Sequence, residues 1–84
     1  MAHQLHLFHG LADPTRLRIV ALLRVMELAI GELAVVLEQS QPRVSRHVRI
    51  LDDAGLVVRQ REGGWVFLRL ASGQGVEAVT ALLD

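Results

Sequence analysis

The sequence predicts a single, mainly α-helical domain with a small β-hairpin (α+β), in the order α-α-(β)-α-α-β-β-α. Apolar residues recur at helical spacing in five segments of the chain. Two short runs rich in β-branched and aromatic residues, Leu56–Arg61 and Trp65–Leu70, are joined by Glu62-Gly63-Gly64, which is typical of a hairpin. A length of 84 residues allows one small domain, residues 1–84.

The first two predicted helices meet at a boundary marked by Asp13 and Pro14. Ala2–Leu11 carries apolar residues at the spacing of a short helix. Asp13 can cap a helix N-terminus, and Pro14 fits the first helical position, where the backbone N–H has no partner. The helix that follows, Thr15–Val25, is apolar on nearly every side, which is typical of a central, buried helix.

One extended stretch and two more helices are predicted for the middle of the chain. Met26–Ile30 is interpreted as a single extended stretch, the bracketed strand. Gly31–Leu37 places its apolar residues on one face and predicts a short helix. After a turn, Ser40 is expected to cap the next helix, Gln41–Ala54, and Gly55 to end it in the left-handed conformation.

The hairpin is expected to bury one face, because Val66, Leu68 and Leu70 alternate with residues of the other face. Val76–Leu83 repeats apolar residues at helical spacing and predicts a last helix. Two short helices joined by a tight turn and followed by a glycine-tipped hairpin form the plan of a winged helix-turn-helix domain.

Composition excludes several classes of function. The chain has no cysteine, so disulfides and thiolate metal sites are excluded. Its apolar runs are shorter than a membrane span and it opens with no basic, apolar leader, so a cytoplasmic location is expected. Only 4% of the residues are aromatic, so an aliphatic core is expected, and for so short a chain a partner subunit is expected to add stability.

The charge is unevenly distributed along the chain. The segment Ser40–Leu70 has six arginines and three acidic residues, a net charge of +3, and the remainder carries −3. All nine cations are arginine, whose forked guanidinium suits bidentate contacts with phosphate and guanine.

The predicted helix Gln41–Ala54 divides into a core-facing stripe and a polar face. Val44, Val48 and Leu51 fall at i, i+4 and i+7, which leaves the polar residues outside. A recognition helix in the major groove of duplex DNA needs this division. The predicted DNA contacts are Ser40, Gln41, Arg43, Ser45, Arg46, His47, Arg49, Arg59 and Arg61.

These residues have different expected partners. Those expected nearest the base edges are Gln41, Arg43, Ser45 and Arg46, since glutamine can pair with adenine and arginine with guanine. For Ser45, a base and a phosphate both stay open as the partner. Arg49 is expected to contact a phosphate, and His47 either a phosphate or its own domain. Arg59 and Arg61 flank the Gly63-Gly64 tip of the wing, residues 59–65, which is placed to reach a flanking groove or its phosphates.

Two interpretations that do not involve DNA stay open for this pattern. A stripe of arginines on an amphipathic helix is also what a solvated surface face looks like. The same fold could serve protein contact alone. Trp65 is expected to pack at the base of the hairpin rather than to stack on a DNA base.

Three segments resemble the ArsR/SmtB family of bacterial winged-helix repressors. They are Leu11–Leu23 (LADPTRLRIVALL), Ile30–Val57 and Arg61–Leu70 (REGGWVFLRL), which together cover most of the chain. The resemblance implies a homodimer whose interface is formed by residues 1–11 and 75–84. It also implies binding to an inverted-repeat operator, one half-site per subunit, and repression of transcription that a signal relieves.

The sequence departs from the family at the sensor. Many members sense metals through a cysteine-containing motif in the helix before the turn, but Glu32–Val36 here has no thiol. Another site in the family uses Asp and His on the last helix, and Val76–Leu83 has Glu77 but no histidine. Neither sensor carries over, so no cofactor and no metal site are predicted.

The N-terminal histidines leave an alternative open. His3, His6 and His9 recur every third residue, and imidazole suits Zn, Cu or Ni. No carboxylate accompanies them, and three residues at this spacing drift around a helix, so a polar face at a dimer edge explains them as well.

An enzyme is not expected. Ser45 and His47 on one helix point about 200° apart and cannot share a proton. Some relatives join such a domain to a methyltransferase, so the second candidate is the DNA-binding or dimerising domain of a methyltransferase-type fusion enzyme. Asp84 ends an amphipathic run without a cap, which leaves open that the chain is a piece of a longer protein.

Overall fold

The computed structural model describes residues 10, 12–73, 76–77 and 81. These residues form a winged helix-turn-helix domain of the α+β class, with three helices and a three-stranded antiparallel sheet. The elements are α1 (Pro14–Leu23), β1 (Leu28–Ala29), α2 (Ile30–Leu37), α3 (Gln41–Asp53), β2 (Val57–Glu62) and β3 (Trp65–Leu70).

The sequence predicts five helices, and the described part of the chain holds three. Most residues of the predicted first and last helices, Ala2–Leu11 and Val76–Leu83, lie outside the described residues. Among the residues described, no helix is long and apolar enough to cross a lipid bilayer.

The start of α1 confirms the predicted cap. Asp13 is extended (φ −133°, ψ 133°), and its Oδ1 accepts the backbone N–H of Thr15 at 2.8 Å and of Arg16 at 3.4 Å. The helix ends at Leu23, two residues before the predicted end, because the Val25 N–H turns back to the Leu22 carbonyl at 3.0 Å. Val25 is consequently 78% exposed rather than buried.

The turn between α2 and α3 is made by a residue in the left-handed conformation, Glu38 (φ 56°, ψ 42°). Its N–H and that of Gln39 close the last turn of α2. Gln39 Nε2 also donates to Thr15 Oγ1 at 3.1 Å, which ties the turn to the start of α1. This contact joins the α2–α3 pair to α1.

The predictions for α3 are confirmed to within one residue. Ser40 is extended and its Oγ accepts the Arg43 N–H at 3.3 Å. Gly55 has φ 77°, so the predicted left-handed stop follows the end of the helix at Asp53. The predicted stripe is buried: Val44, Val48 and Leu51 are at most 1% exposed.

The sheet has the strand order β1-β3-β2. In the hairpin, Val57 pairs with Leu70 and Glu62 with Trp65, and Gly63 (φ 59°) makes the tip. The bracketed strand is confirmed as Leu28–Ala29, which pairs with the other edge of β3. Leu56, predicted as the first residue of β2, is instead a fully buried residue of the preceding turn.

The core lies between the three helices and the inner face of β3, and its large buried side chains are aliphatic, as predicted. Gly10 packs closely on the end of α3 and the turn that follows it. A Cβ added at Gly10 would lie 3.0 Å from Leu56 Cδ1 and 3.3 Å from Ala54 Cβ, so a glycine allows this approach.

Candidate nucleic-acid interface

The structure places the nine predicted contact residues on two neighbouring elements. Seven belong to α3 and its cap, and Arg59 and Arg61 belong to β2. Ser45 and His47 are half-buried, and the other seven are exposed.

The polar face of α3 has three sides. At about 100° per residue, Arg46 points away from the buried stripe, Gln41 and Ser45 point toward the hairpin, and Arg43 points toward the side of α1. Arg43 and Arg46 are therefore exposed to solvent, while the opposite side of the same helix is buried in the core.

His47 is held by a residue of α1 that the sequence analysis missed. Arg16 is 8% exposed and is the single buried charged residue in the described part of the chain. Its Nη1 lies 3.2 Å from His47 Nδ1, and its Nε donates to the Gly10 carbonyl at 2.9 Å. Arg16 thus connects the segment before α1, α1 itself and α3.

The neutral form of His47 fits this contact, because a guanidinium has only donors and Nδ1 must accept. Burial lowers the pKa of His47 below its usual value, and the nearby positive charges of Arg16, Arg46 and Arg43 lower it further against the opposing effect of Asp13. Both effects favour the uncharged form of the ring.

The cap of α1 belongs to the same cluster. Desolvation raises the pKa of Asp13, but the N–H groups of Thr15 and Arg16 together with the charges of His47 and Arg16 outweigh it, so the pKa of this carboxyl is below its usual value.

The prediction that Arg59 lies beside the Gly63-Gly64 tip of the hairpin is wrong. Arg59 pairs with Leu68 in the sheet and lies four residues before Gly63, about 13 Å along the strand. Its Nη2 and Nε lie 2.9 Å and 3.0 Å from Asp52 Oδ2 at the end of α3, so an acidic partner offsets part of its charge. Arg61 pairs with Val66, one position from the last pair of the hairpin.

A cleft, here called the wing cleft, separates the first two turns of α3 from the end of the hairpin. Its volume is about 350 Å³. The residues that line it are Ala29, Ile30, Gly31, Gln41, Ser45, Gly64, Trp65 and Val66.

Trp65 is not at the base of the hairpin, where packing was expected. It lies in the last pair before the tip, opposite Glu62, and is 60% exposed. Its ring stacks on Phe67 with centroids 6.3 Å apart. Because β3 runs away from the tip, the first residue of this strand is the one farthest from the core.

Metal binding finds no support in the described residues, which contain no group of three or more His, Asp or Glu side chains able to hold an ion. His3, His6 and His9 lie outside the described residues.

Comparison with known proteins identifies relatives of this chain among bacterial regulatory proteins. The profile of the family described as "Bacterial regulatory protein, arsR family" matches residues 13–58. The arsenical resistance operon repressor of Escherichia coli (strain K12) is 46% identical over 68 residues, which cover 80% of this chain and 58% of that protein. The chain spans 50–58% of the length of the first curated relatives it matches.

Solved structures share the fold over nearly the whole chain. HlyU from Vibrio cholerae N16961 has a TM-score of 0.88 and 38% identity, and the match covers 98% of this chain and 88% of that one. A homodimeric winged helix-turn-helix DNA-binding domain from Mycobacterium bovis, Mb0332, has a TM-score of 0.87 and 29% identity, covering 98% and 75%.

The matched family consists of transcriptional regulators, not enzymes. Asp13, Ser40 and the buried stripe of α3 all fall within the matched residues, and the wing follows them. The chain belongs to the ArsR family of bacterial regulatory proteins.

Proposed function

We propose that this chain binds duplex DNA as an ArsR-type transcriptional repressor, with α3 in the major groove and the wing on the flanking groove. The observation that carries the proposal is that α3 has a buried apolar stripe on one side and exposed polar residues on the others. Val44, Val48 and Leu51 anchor the helix in the core, while Arg43 and Arg46 are exposed on its other sides. Arginines on such a face can contact guanine edges and phosphates.

Sequence discrimination is assigned first to Arg46, because it points farthest from the core. A good bidentate pair between arginine and guanine discriminates against the wrong base by about 1–3 kcal/mol. Phosphate contacts by Arg49 and Arg61 add affinity that does not depend on sequence. Arg59 contributes less, since Asp52 offsets part of its charge.

The binding unit is proposed to be a homodimer on an inverted repeat. One solved relative, Mb0332 from Mycobacterium bovis, is a homodimeric winged helix-turn-helix DNA-binding domain. A two-fold dimer presents two copies of α3, so each subunit would read one half-site. The segments proposed for the interface, residues 1–11 and 75–84, flank the described domain.

DNA binding is tested by selecting fragments of the source genome and measuring affinity for the selected duplex at several salt concentrations. Affinity should fall steeply with salt, because neutralised phosphates release counterions. Arg46→Ala should weaken binding to the selected duplex by roughly ten- to a hundredfold and relax the preference at one base pair.

Arg18→Ala is the matched control, since Arg18 is exposed on α1 and has the same charge. Unchanged affinity for every duplex in both Arg43→Ala and Arg46→Ala would refute the role of α3. Sedimentation of the complex tests the dimer, and one subunit per selected duplex contradicts it.

A further inference from the structure

A buried contact joins α3 to α1 through two side chains that the proposed function does not use. Arg16 of α1 is 8% exposed, and its Nη1 lies 3.2 Å from Nδ1 of His47 on α3. The Nε of the same guanidinium donates to the Gly10 carbonyl at 2.9 Å. One side chain therefore connects the helix proposed to contact DNA with a residue of the proposed dimer interface.

This contact acts together with another one between the same parts of the domain. At the turn before α3, Gln39 Nε2 donates to Thr15 Oγ1 at 3.1 Å. His47 lies about two turns farther along, in the middle of α3. Because two points along a helix define its direction, the Arg16–His47 contact helps to set the direction of α3 relative to α1, in addition to the packing of the buried stripe.

The Arg16–His47 contact requires a neutral imidazole. A guanidinium has only N–H donors and stays charged at every physiological pH, so Nδ1 must accept and the single ring proton lies on Nε2. An imidazolium has an N–H on both nitrogens. Protonation of the ring would therefore place two donors and two positive charges against each other at 3.2 Å, and one of the two groups would have to move.

The charged groups that act on the ring come from both helices. In the described part of the chain they are Arg16 and Asp13 at the start of α1, and Arg43 and Arg46 of α3 itself. Burial and the three arginines lower the pKa of His47, and Asp13 alone raises it. The charge of Arg16 is poorly screened because this side chain is buried. The geometry and the charges thus favour the same neutral state of the ring.

Resting on the proposed function, we propose that Arg16 positions α3 for DNA binding through His47, and that protonation of His47 breaks this contact and weakens binding. The added proton goes to Nδ1, the ring nitrogen that faces Arg16. Either the ring then moves away with its part of α3, or the guanidinium leaves the Gly10 carbonyl. The sequence analysis left His47 with a phosphate or its own domain as partner, and this proposal assigns it to its own domain.

A phosphate of the DNA does not reverse the sign of this effect. Arg43 and Arg46 are exposed and always charged, so they attract a phosphate whether or not His47 is protonated. The His47 ring is half-buried. A third positive charge on it adds less attraction for phosphate than the repulsion that it creates with a buried guanidinium at 3.2 Å.

The protonation state of His47 can be measured directly by NMR of the ¹⁵N-labelled chain, free and saturated with the selected duplex. The ring should be the Nε2–H tautomer in the free domain. Because DNA binding favours the neutral ring, the pKa of His47 should be lower in the complex than in the free chain. A pKa that is unchanged or raised by DNA would overturn the proposal.

The anisotropy of labelled DNA then measures affinity between pH 7.5 and 5.5 at constant ionic strength. One proton linked to binding changes affinity by at most tenfold per pH unit, and the pKa of His47 lies below about 6.5. Relative to His47→Asn, the wild type should therefore lose about two- to tenfold in affinity over this range. Asparagine keeps an acceptor at the position of Nδ1 and does not titrate, and His3, His6 and His9 are the same in both chains.

Each outcome of this comparison is decisive. Equal pH profiles of the wild type and His47→Asn would refute the proposal and leave DNA binding intact. A wild-type affinity that rises relative to the variant as pH falls would refute it as well, and would assign the imidazolium to a phosphate. If the wild type gives no anisotropy change with any duplex at any pH, the proposed function itself fails.

Arg16→Met tests the other half of the contact. It should weaken binding at pH 7.5 and also remove the pH dependence that His47 contributes, whereas a merely structural role of Arg16 would lower affinity by the same factor at every pH. Arg18→Met is the control and should keep the wild-type profile, since Arg18 is exposed on the same helix. Circular dichroism checks that each variant is folded, and if Arg16→Met is not, the measurements on His47 decide alone.

Discussion

Replacing Arg16 by methionine is expected to loosen α3 from the rest of the domain. Arg16 Nε donates to the Gly10 carbonyl at 2.9 Å, and Nη1 lies 3.2 Å from His47 Nδ1. Methionine keeps an unbranched apolar stem of similar length and removes every N–H donor. The substitution therefore preserves much of the packing and deletes the hydrogen bonds that join three segments.

The magnitude follows from those contacts. A hydrogen bond with a charged donor contributes about 1.5–3 kcal/mol, so two such bonds contribute about 3–6 kcal/mol before other effects. Part of this loss of free energy is offset, because the wild type buries a guanidinium at a desolvation cost that methionine avoids. We expect the free energy of unfolding to fall by about 2–3 kcal/mol, which lowers Tm by roughly 10–20 °C in a domain of this size.

Thermal and urea unfolding at equal protein concentration measure the effect, since the stability of an oligomer depends on concentration. Arg18→Met is the control, because Arg18 is exposed on the same helix. The reasoning is refuted if Arg16→Met and Arg18→Met differ by less than about 0.5 kcal/mol, the range of ordinary surface substitutions.

Three further outcomes are expected. Arg59→Ala should reduce the salt dependence of DNA affinity less than Arg61→Ala, because Asp52 lies 2.9 Å from Arg59; equal slopes contradict this. The pKa of His47 is lower in the folded state, so the unfolded state binds more protons, and the free energy of unfolding should fall as pH drops below about 6.5 toward the folded pKa. His47→Gln should remove that part of the fall in urea unfolding, and an unchanged pH profile excludes His47 as its source. Gly55→Ala should destabilise by about 1–2 kcal/mol in the same assay, because φ is 77° there, and a neutral result contradicts that strain.

Helix boundaries were predictable because their causes are local. Asp13 and Ser40 bond to N–H groups two or three residues ahead, so the residue type and its position in the sequence suffice to place the start of a helix. The left-handed residue Glu38 was not predicted, since a glutamate gives no such signal. The strand Leu28–Ala29 was recognisable only as an extended stretch, because its pairing depends on β3, nearly forty residues away.

The candidate site was predicted in part. The buried stripe of α3 identifies its outward residues, and the structure confirms the stripe. Arg16 was missed although it falls at helical spacing with Ile19, Val20 and Leu23, all of which are buried. A charged residue on a buried face was the signal that could have found it. The Arg59–Asp52 pair has no comparable signal, because it joins a helix to a strand.

The sequence by itself determined the family, the helix caps, the aliphatic core stripe and the glycine-tipped hairpin, since each depends on residues close together in the chain. The tertiary structure decided which arginines have their charge available. It buries Arg16 against His47, pairs Arg59 with Asp52, and leaves Arg46 exposed on α3. It also forms the wing cleft between α3 and the end of the hairpin. The reason is that electrostatic interaction and burial depend on distance in space, which only the packing of the elements sets.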